Sequence, residues 1–361
     1  MKIPTISKLF AITNPSLIIR KASEMPSQEN TIEDQRAKCG FHFREDVAPG
    51  LVLEMPLKRI FHSSQSEFQQ VDVIDSYFGR TLVTDGKTQS AEFDEFAYHE
   101  SLVHPALLSY AQRTGKPPKT VFIGGGGELA TAREVLRHPG VERVIMVDLD
   151  GVVVDVCIEF LPKWGGKAVK SDPRFDLTIG DAYKYLLETK ETFDIVILDI
   201  SDPIEAGPGI MLYTKELYQH VATRMAPNGV FVTQAGIADA VPPPHADAGD
   251  RDTTCFGPIK NTLAEVFDVV FPYTQSIPSF GSDWGFVMAF SPSEGESKDN
   301  AIFSSETVDT LIEGNIKGGK SALQMYDGIT HQRMFHLTKA VRKQLASDSR
   351  IMTKDNPVFM Y

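Results

Sequence analysis

Three carboxylates fall within one short stretch, Asp199-Ile200-Ser201-Asp202-Pro203-Ile204-Glu205. Like charges so close repel, so such a run persists most readily where a cation is bound. It follows the apolar run Phe193–Leu198, which reads as a strand and places the acids at a strand tip. A second loop, Gly124-Gly125-Gly126-Gly127-Glu128, ends the short apolar strand Thr120–Ile123. Glycines there let the backbone approach a ligand and turn sharply into a helix. Read from Gly125, the run fits GxGxxA, closing at Ala130, so on its own it admits a dinucleotide. No lysine follows it, which excludes a phosphate-cradling Walker loop.

A third loop, Asp148-Leu149-Asp150, comes about 20 residues past the glycines, the interval at which a strand-tip carboxylate grips a ribose diol. Asp148 is assigned to the diol and Asp150 to capping the next helix. In a fourth loop, Gly180-Asp181-Ala182, Asp181 can accept from an adenine amine while Ala182 leaves room for the ring. From spacing alone, Asp181 serves equally as a helix N-cap. Tyr98-His99-Glu100 stands at a helix entrance. His99 and His104 are not a metal-ligand set, and no metal site is read from them.

These loops need a scaffold. From Thr120 to Thr233 strands and helices alternate, with strands at Thr120–Ile123, Arg143–Val147, Phe175–Ile179, Phe193–Leu198 and Val230–Thr233. Helices are expected at Glu128–Arg137, Val152–Phe160, Ala182–Leu187 and Lys215–Met225. Such alternation predicts an α/β fold: a doubly wound, Rossmann-like, mainly parallel sheet, with ligands bound beyond the carboxyl ends of its strands. Ahead of it, Val71–Ile74 and Thr81–Thr84, with an Asp85-Gly86 hairpin turn, predict a small antiparallel β-domain. A helix is expected over Glu100–Arg113 with Pro105 near its first turn or kinking it. Later elements are a helix near Asn261–Phe267, strands at about Val269–Tyr273 and Gly285–Phe290, and a helix around Met334–Leu345. The expected division is an extension over 1–50, a β-domain over 51–94, a nucleoside-binding catalytic domain over 95–291 and a helical extension over 292–361. A loop from Pro242 to Asp252 reads as a lid.

Composition narrows the chemistry. The 361 residues carry 36 basic and 48 acidic side chains, a formal charge of −12, which disfavours nucleic acid and suits a cationic small molecule. No apolar run is long enough to span a membrane. Three scattered cysteines, none in a CxxC pair, suit a reducing, cytoplasmic setting.

Taken in order, Ser66-Glu67-Phe68-Gln69, Asp85 to Ser90, Asp94 to Glu100, the glycine loop and Asp199-Ile200-Ser201-Asp202-Pro203 resemble the polyamine synthases, the aminopropyltransferases related to spermidine synthase. Several segments resemble the thermospermine synthases within that family: Tyr98-His99-Glu100, Asp202 to Pro208, Leu212 to Lys215, Thr233 to Gly236, and Ile277 to Phe280 with Trp284-Gly285.

The resemblance implies transfer of a 3-aminopropyl group from decarboxylated S-adenosylmethionine, a co-substrate with no permanently bound cofactor, to spermidine. The products would be thermospermine and methylthioadenosine. It implies nucleoside binding by Gln69, Asp148, Asp181 and Ala182. Glu128, on the loop of Gly125 and Gly126, would hold the donor's aminopropyl end. Asp199 would be the base and Asp202 an amine holder. Tyr98 would orient the acceptor, with His99, Glu205, Phe280 and Trp284 also on the acceptor side. It implies a homodimer or homotetramer. This chain has Leu129 where the family usually has glycine, and Phe68 and Phe280 where spermidine synthases often have tyrosine. A methyltransferase or an NAD-dependent dehydrogenase would share the glycine loop, yet neither needs the Asp199–Glu205 acids. A non-catalytic nucleoside-binding relative is the other reading, which Leu129 keeps open.

Overall fold

The computed structural model describes residues 40–48, 51–203, 209–238, 254–292 and 303–360. Glu205, the loop from Pro242 to Asp252 and most of the extension over 1–50 lie outside the described residues.

Two antiparallel sheets come first. Strands β1 (His42–Ala48) and β2 (Leu51–Pro56) pair with each other. Strands β3 (Arg59–Gln65), β4 (Gln70–Ser76), β5 (Gly79–Thr84) and β6 (Lys87–Ala91) form a four-stranded meander, β3-β4-β5-β6. The Asp85-Gly86 turn takes positive φ at both residues, as a tight hairpin requires. Val71, Val73 and Leu82 on one face of this meander bury against Val153, Val156, Cys157 and Trp164 of the following domain. The Trp164 indole donates to Ser90 at 2.8 Å.

Helix α1 (Glu95–Thr114) leads into the main domain. There follow β7 (Thr120–Gly125), α2 (Ala130–Leu136), β8 (Arg143–Asp148), α3 (Gly151–Phe160), α4 (Gly166–Lys170), β9 (Phe175–Ile179), α5 (Ala182–Glu188), β10 (Phe193–Asp199), α6 (Lys215–Ala222) and β11 (Met225–Ile237). Helix α7 (Phe256–Ala264) precedes the hairpin β12 (Val269–Ile277) and β13 (Ser282–Phe290). The seven strands order as β12-β13-β11-β10-β7-β8-β9, antiparallel only at β12 and β13. The sheet is therefore the expected mainly parallel, Rossmann-like one. Its central strands are buried along both faces, which is why Val121–Ile123 and Ile195–Leu198 read as unbroken apolar runs.

The register aligns the chemistry. Asp199 pairs with Gly125 across β10 and β7, and Asp148 pairs with Ile179 across β8 and β9. The glycine loop, Asp148 and Asp199 thus share one edge of the sheet.

Three expectations need correction. Helix α1 starts at Glu95, not near Glu100, so Pro105 is interior. Proline has no N–H for the Ser101 carbonyl, and the Tyr273 hydroxyl donates to that carbonyl instead, at 3.0 Å. Helix α2 starts at Ala130, leaving Glu128 in the loop. The helix expected around Met334–Leu345 is two, α9 (Gly328–Phe335) and α10 (Lys339–Ser347), preceded by α8 (Ser305–Asn315). Thr338 takes extended backbone and caps α10 through Val341 N–H. Among the described residues no helix is long and apolar enough to cross a membrane.

Candidate active site

Glycine is required in the loop after β7 by close approach. A Cβ at Gly125 would lie 2.1 Å from the Asp199 carbonyl oxygen, and Gly125 has φ +81°. The Gly126 N–H donates to that same carbonyl at 2.8 Å, tying the glycine loop to the tip of β10. Leu129 keeps the backbone a glycine would favour, with φ 72° at the position before α2. Its side chain is fully buried, packed toward Gly166 and Ile158. The loop is not crowded open; apolar burial offsets the strain of the left-handed conformation.

Asp199 is the centre. Its Oδ1 accepts from the Tyr98 hydroxyl at 2.7 Å, and its Oδ2 accepts from Thr131 at the start of α2. Burial pushes its pKa up to about 6. The Glu128 charge adds to the rise, while the His99 charge and the two hydroxyl donors oppose it. Burial likewise raises Asp148 to about 7 and Asp202 to about 6. Carboxylates drawn this far out of water, yet still part-exposed, favour an ammonium ligand, whose charge would replace the lost hydration.

His99 is sandwiched. Its Nε2 lies 2.7 Å from Glu128 and its Nδ1 lies 2.9 Å from Glu95, which accepts two bonds from Arg133. A neutral imidazole carries one N–H and would face one carboxylate with a lone pair, so this arrangement demands imidazolium. Burial opposes the charge, but the bonds to Glu128 and Glu95 push the pKa up to about 10. Donor atoms of His99, Glu128 and Asp199 lie within 4.8 Å of one another. With both ring nitrogens committed to carboxylates, His99 has no lone pair for a metal, and the cluster suits an organic cation instead.

The side expected from the sequence to take the nucleoside lies beside it. Asp148 Oδ1 accepts from the Asp150 N–H at 2.9 Å. Asp150 caps α3 through the Val152 N–H and also accepts from Ser66 at 2.6 Å and Gln69 at 3.1 Å. Gln69 therefore reaches the site from the small sheet by way of Asp150. Asp181 caps α5, accepting from Tyr183 and Lys184 N–H groups, both on Oδ1. Ala182 is buried against the glycine loop, near Gly124. A groove of about 410 Å³ opens here, walled by Phe68, Leu149, Asp150, Val152 and Ile179. Phe68, Val152 and Ile179 are all left part-exposed, an apolar surface on the Asp150 side of the site.

The other side is aromatic. Phe280 stacks edgewise on Tyr98 at 5.8 Å and packs on Trp284 at 4.6 Å. Asp94, before α1, accepts from Ser279 N–H and hydroxyl at 2.7 and 2.8 Å, which fixes the turn that carries Phe280. Trp284 donates to Gln234 Oε1 at 3.1 Å, and Gln234 Nε2 lies 3.0 Å from Asp202 and 2.7 Å from the Tyr213 hydroxyl. Glu100 faces away and accepts three backbone N–H bonds from Gln324, Met325 and Tyr326.

The structure thus gathers Tyr98, His99, Glu128 and Asp199 into one knot, with Asp148 beside it and Asp202, Phe280 and Trp284 flanking it. Sequence reading missed Glu95, Thr131, Arg133 and Gln234. Thr131 and Arg133 both stand in the first turn of the helix after the glycine loop, and that closeness to the loop was the available signal.

A model of the spermine/spermidine synthase domain matches residues 95–302, and one of the spermidine synthase tetramerisation domain matches residues 41–92. The chain is 39% identical to a polyamine aminopropyltransferase of Aeropyrum pernix, over 88% of this chain and 95% of that protein. It is 36% identical to a thermospermine synthase of Arabidopsis thaliana, over 95% of this chain and 93% of that one. A crystal structure of spermidine synthase with the transition-state analogue AdoDATO superposes with TM-score 0.70 at 27% identity, covering 90% of this chain and 99% of that one. Spermidine synthase from Thermotoga maritima gives 0.68 at 27% identity, covering 85% and 94%.

Proposed function

This chain belongs to the spermine/spermidine synthase family of polyamine aminopropyltransferases, and on that premise we propose that it moves a 3-aminopropyl group from decarboxylated S-adenosylmethionine to spermidine, giving thermospermine and methylthioadenosine. The observation that carries this reading is Asp199, half-buried at the tip of β10, where it accepts from Tyr98 and Thr131 and lies beside the Glu128 charge.

The reaction is a displacement at carbon. The acceptor nitrogen forms a bond to the carbon next to sulfur, the C–S bond breaks, and its electron pair leaves on sulfur as a neutral thioether. The sulfonium is a good leaving group, so positioning supplies much of the acceleration. The attacking amine must be neutral, although free alkyl amines titrate near 10. The positive sulfonium beside it lowers that value, and Asp199 takes the proton. With its pKa near 6, Asp199 is ionised at neutral pH and ready to accept.

Each neighbour then has a task. Glu128, steadied by His99, holds the donor's own ammonium. Asp148 takes the ribose diol, backed by Gln69 through Asp150, and Asp181 keeps Oδ2 for the adenine amine beside Ala182. Asp202 and Glu205 hold the acceptor's distal ammonium groups in their charged form. Tyr98, Phe280 and Trp284 line the methylene path, where cation–π attraction adds to water exclusion. Co-substrate and acceptor are both substrates, and the scheme needs no resident cofactor. We further propose a dimer or tetramer built through the small sheets and a cytoplasmic location.

Incubation with decarboxylated S-adenosylmethionine and each of putrescine, spermidine and spermine tests this, with isomeric tetraamines resolved by chromatography. Thermospermine from spermidine is expected. Spermine would correct the product, spermidine from putrescine would correct the acceptor, and addition of a single carbon would make the chain a methyltransferase.

A further inference from the structure

The described residues after α10 form no helix or strand, yet they are fastened at every few residues. Asn261 donates to the Asp348 carbonyl, Thr262 accepts from the Met352 N–H, and Lys215 N–H donates to the Met352 carbonyl, all at 2.8 to 2.9 Å. The Lys354 N–H reaches Glu216 at 3.1 Å. The strap thus crosses α7 and the start of α6. It arrives at the acid loop, where the Met360 N–H donates to the Pro203 carbonyl at 2.7 Å, one residue past Asp202.

Met360 is buried, and its thioether faces Gly236. A Cβ placed on Gly236 would lie 2.7 Å from Met360 Sδ and 3.3 Å from Asp202 Oδ1. Thioether and carboxylate therefore flank the same point, and Gly236, at φ +70°, leaves the gap between them. Residues 303–361 fall outside both matched family domains, so neither match accounts for this strap.

We infer that Met360 is a specificity-determining wall at the far end of the acceptor channel: it fixes the Asp202 loop and limits how far a polyamine extends beyond Asp202. This rests on the reading of the acid cluster as a polyamine site. A thioether offers neither charge nor a strong hydrogen bond, so an ammonium can settle on Asp202 but gains nothing by passing Met360. The acceptor's reach is then measured from Asp202 back toward Asp199, which selects on the spacing between its nitrogens.

The test is calorimetry of putrescine, spermidine and spermine binding to the full chain with methylthioadenosine present, alongside turnover. Met360→Lys places a competing ammonium beside Asp202; spermidine affinity is expected to fall at least tenfold while methylthioadenosine affinity stays within twofold. Met360→Ala opens the wall; the preference for spermidine over spermine is expected to shrink at least fivefold. Parent-like acceptor affinities and preference in both variants would overturn the inference, as would equal losses for nucleoside and acceptor, which mark a merely structural strap. A parent chain that binds no polyamine and transfers no aminopropyl group fails at the prior reading, a distinguishable result.

Discussion

At the scale of single residues, His99 and Leu129 separate this site from its plainest description. His99 bridges two acids and is a fixed cation, so Glu128 is directed without losing its charge. A glutamine in its place could hydrogen-bond but not carry charge. A histidine whose pKa rises on folding contributes stability that is complete below the unfolded value near 6.5 and is lost as pH climbs through about 10. Denaturant unfolding of the parent and His99→Gln should therefore show a stability gap that is widest below pH 6.5 and narrows toward pH 10; a gap independent of pH would contradict the imidazolium. Leu129 sets strain against burial. Leu129→Gly relieves the left-handed backbone, worth about 1–2 kcal/mol, but empties a fully buried leucine site, worth about 2–5 kcal/mol. Net destabilisation of about 2 kcal/mol is expected from urea unfolding, and a stabilised variant would show that the loop wanted glycine all along.

At the scale of elements, the parallel sheet was legible because its central strands are wholly apolar and separated by helical stretches. The strand-tip loops were legible because glycines and acids punctuate those runs. Strands β2 and β3 were not: Leu51–Pro56 and Arg59–Gln65 lie half in solvent, and without a buried face their alternation is faint. The true length of α1 was hidden by Pro105, which local rules place at a helix start. The tertiary partner Tyr273 serves the Ser101 carbonyl that the interior proline leaves without its helical donor. Tyr273→Phe should strand the buried Ser101 carbonyl and cost about 1–3 kcal/mol by thermal or chemical unfolding. No change in stability would mean that the carbonyl is satisfied some other way. In the site, the motif-borne acids could be named from sequence, whereas Gln234, Glu95 and Arg133 could not. Gln234 and Arg133 act through contacts distant in the chain, on Asp202 and Trp284 and on Glu95, while Glu95 meets His99 one helical turn away, a spacing that every helix repeats.

At the scale of the molecule, a chain of net charge −12 concentrates raised-pKa carboxylates along one sheet edge, between the groove walled by Phe68, Val152 and Ile179 and an aromatic wall. The small sheet contributes Gln69 from the turn before β4, the parallel sheet contributes Asp148 and Asp199, and the strap fastens the loop of Asp202, so the site draws on elements from the whole chain. In the proposed reaction its working part is the proton acceptor, Asp199. The most direct measurement is the pH dependence of turnover for Asp199→Asn, with methylthioadenosine binding as the check on the fold. The parent should lose kcat/KM as pH falls through about 6, and the variant should turn over at least a hundredfold more slowly, without that limb, while binding methylthioadenosine within a few-fold of the parent. Turnover within a few-fold of the parent, with the same acid limb, would contradict the account.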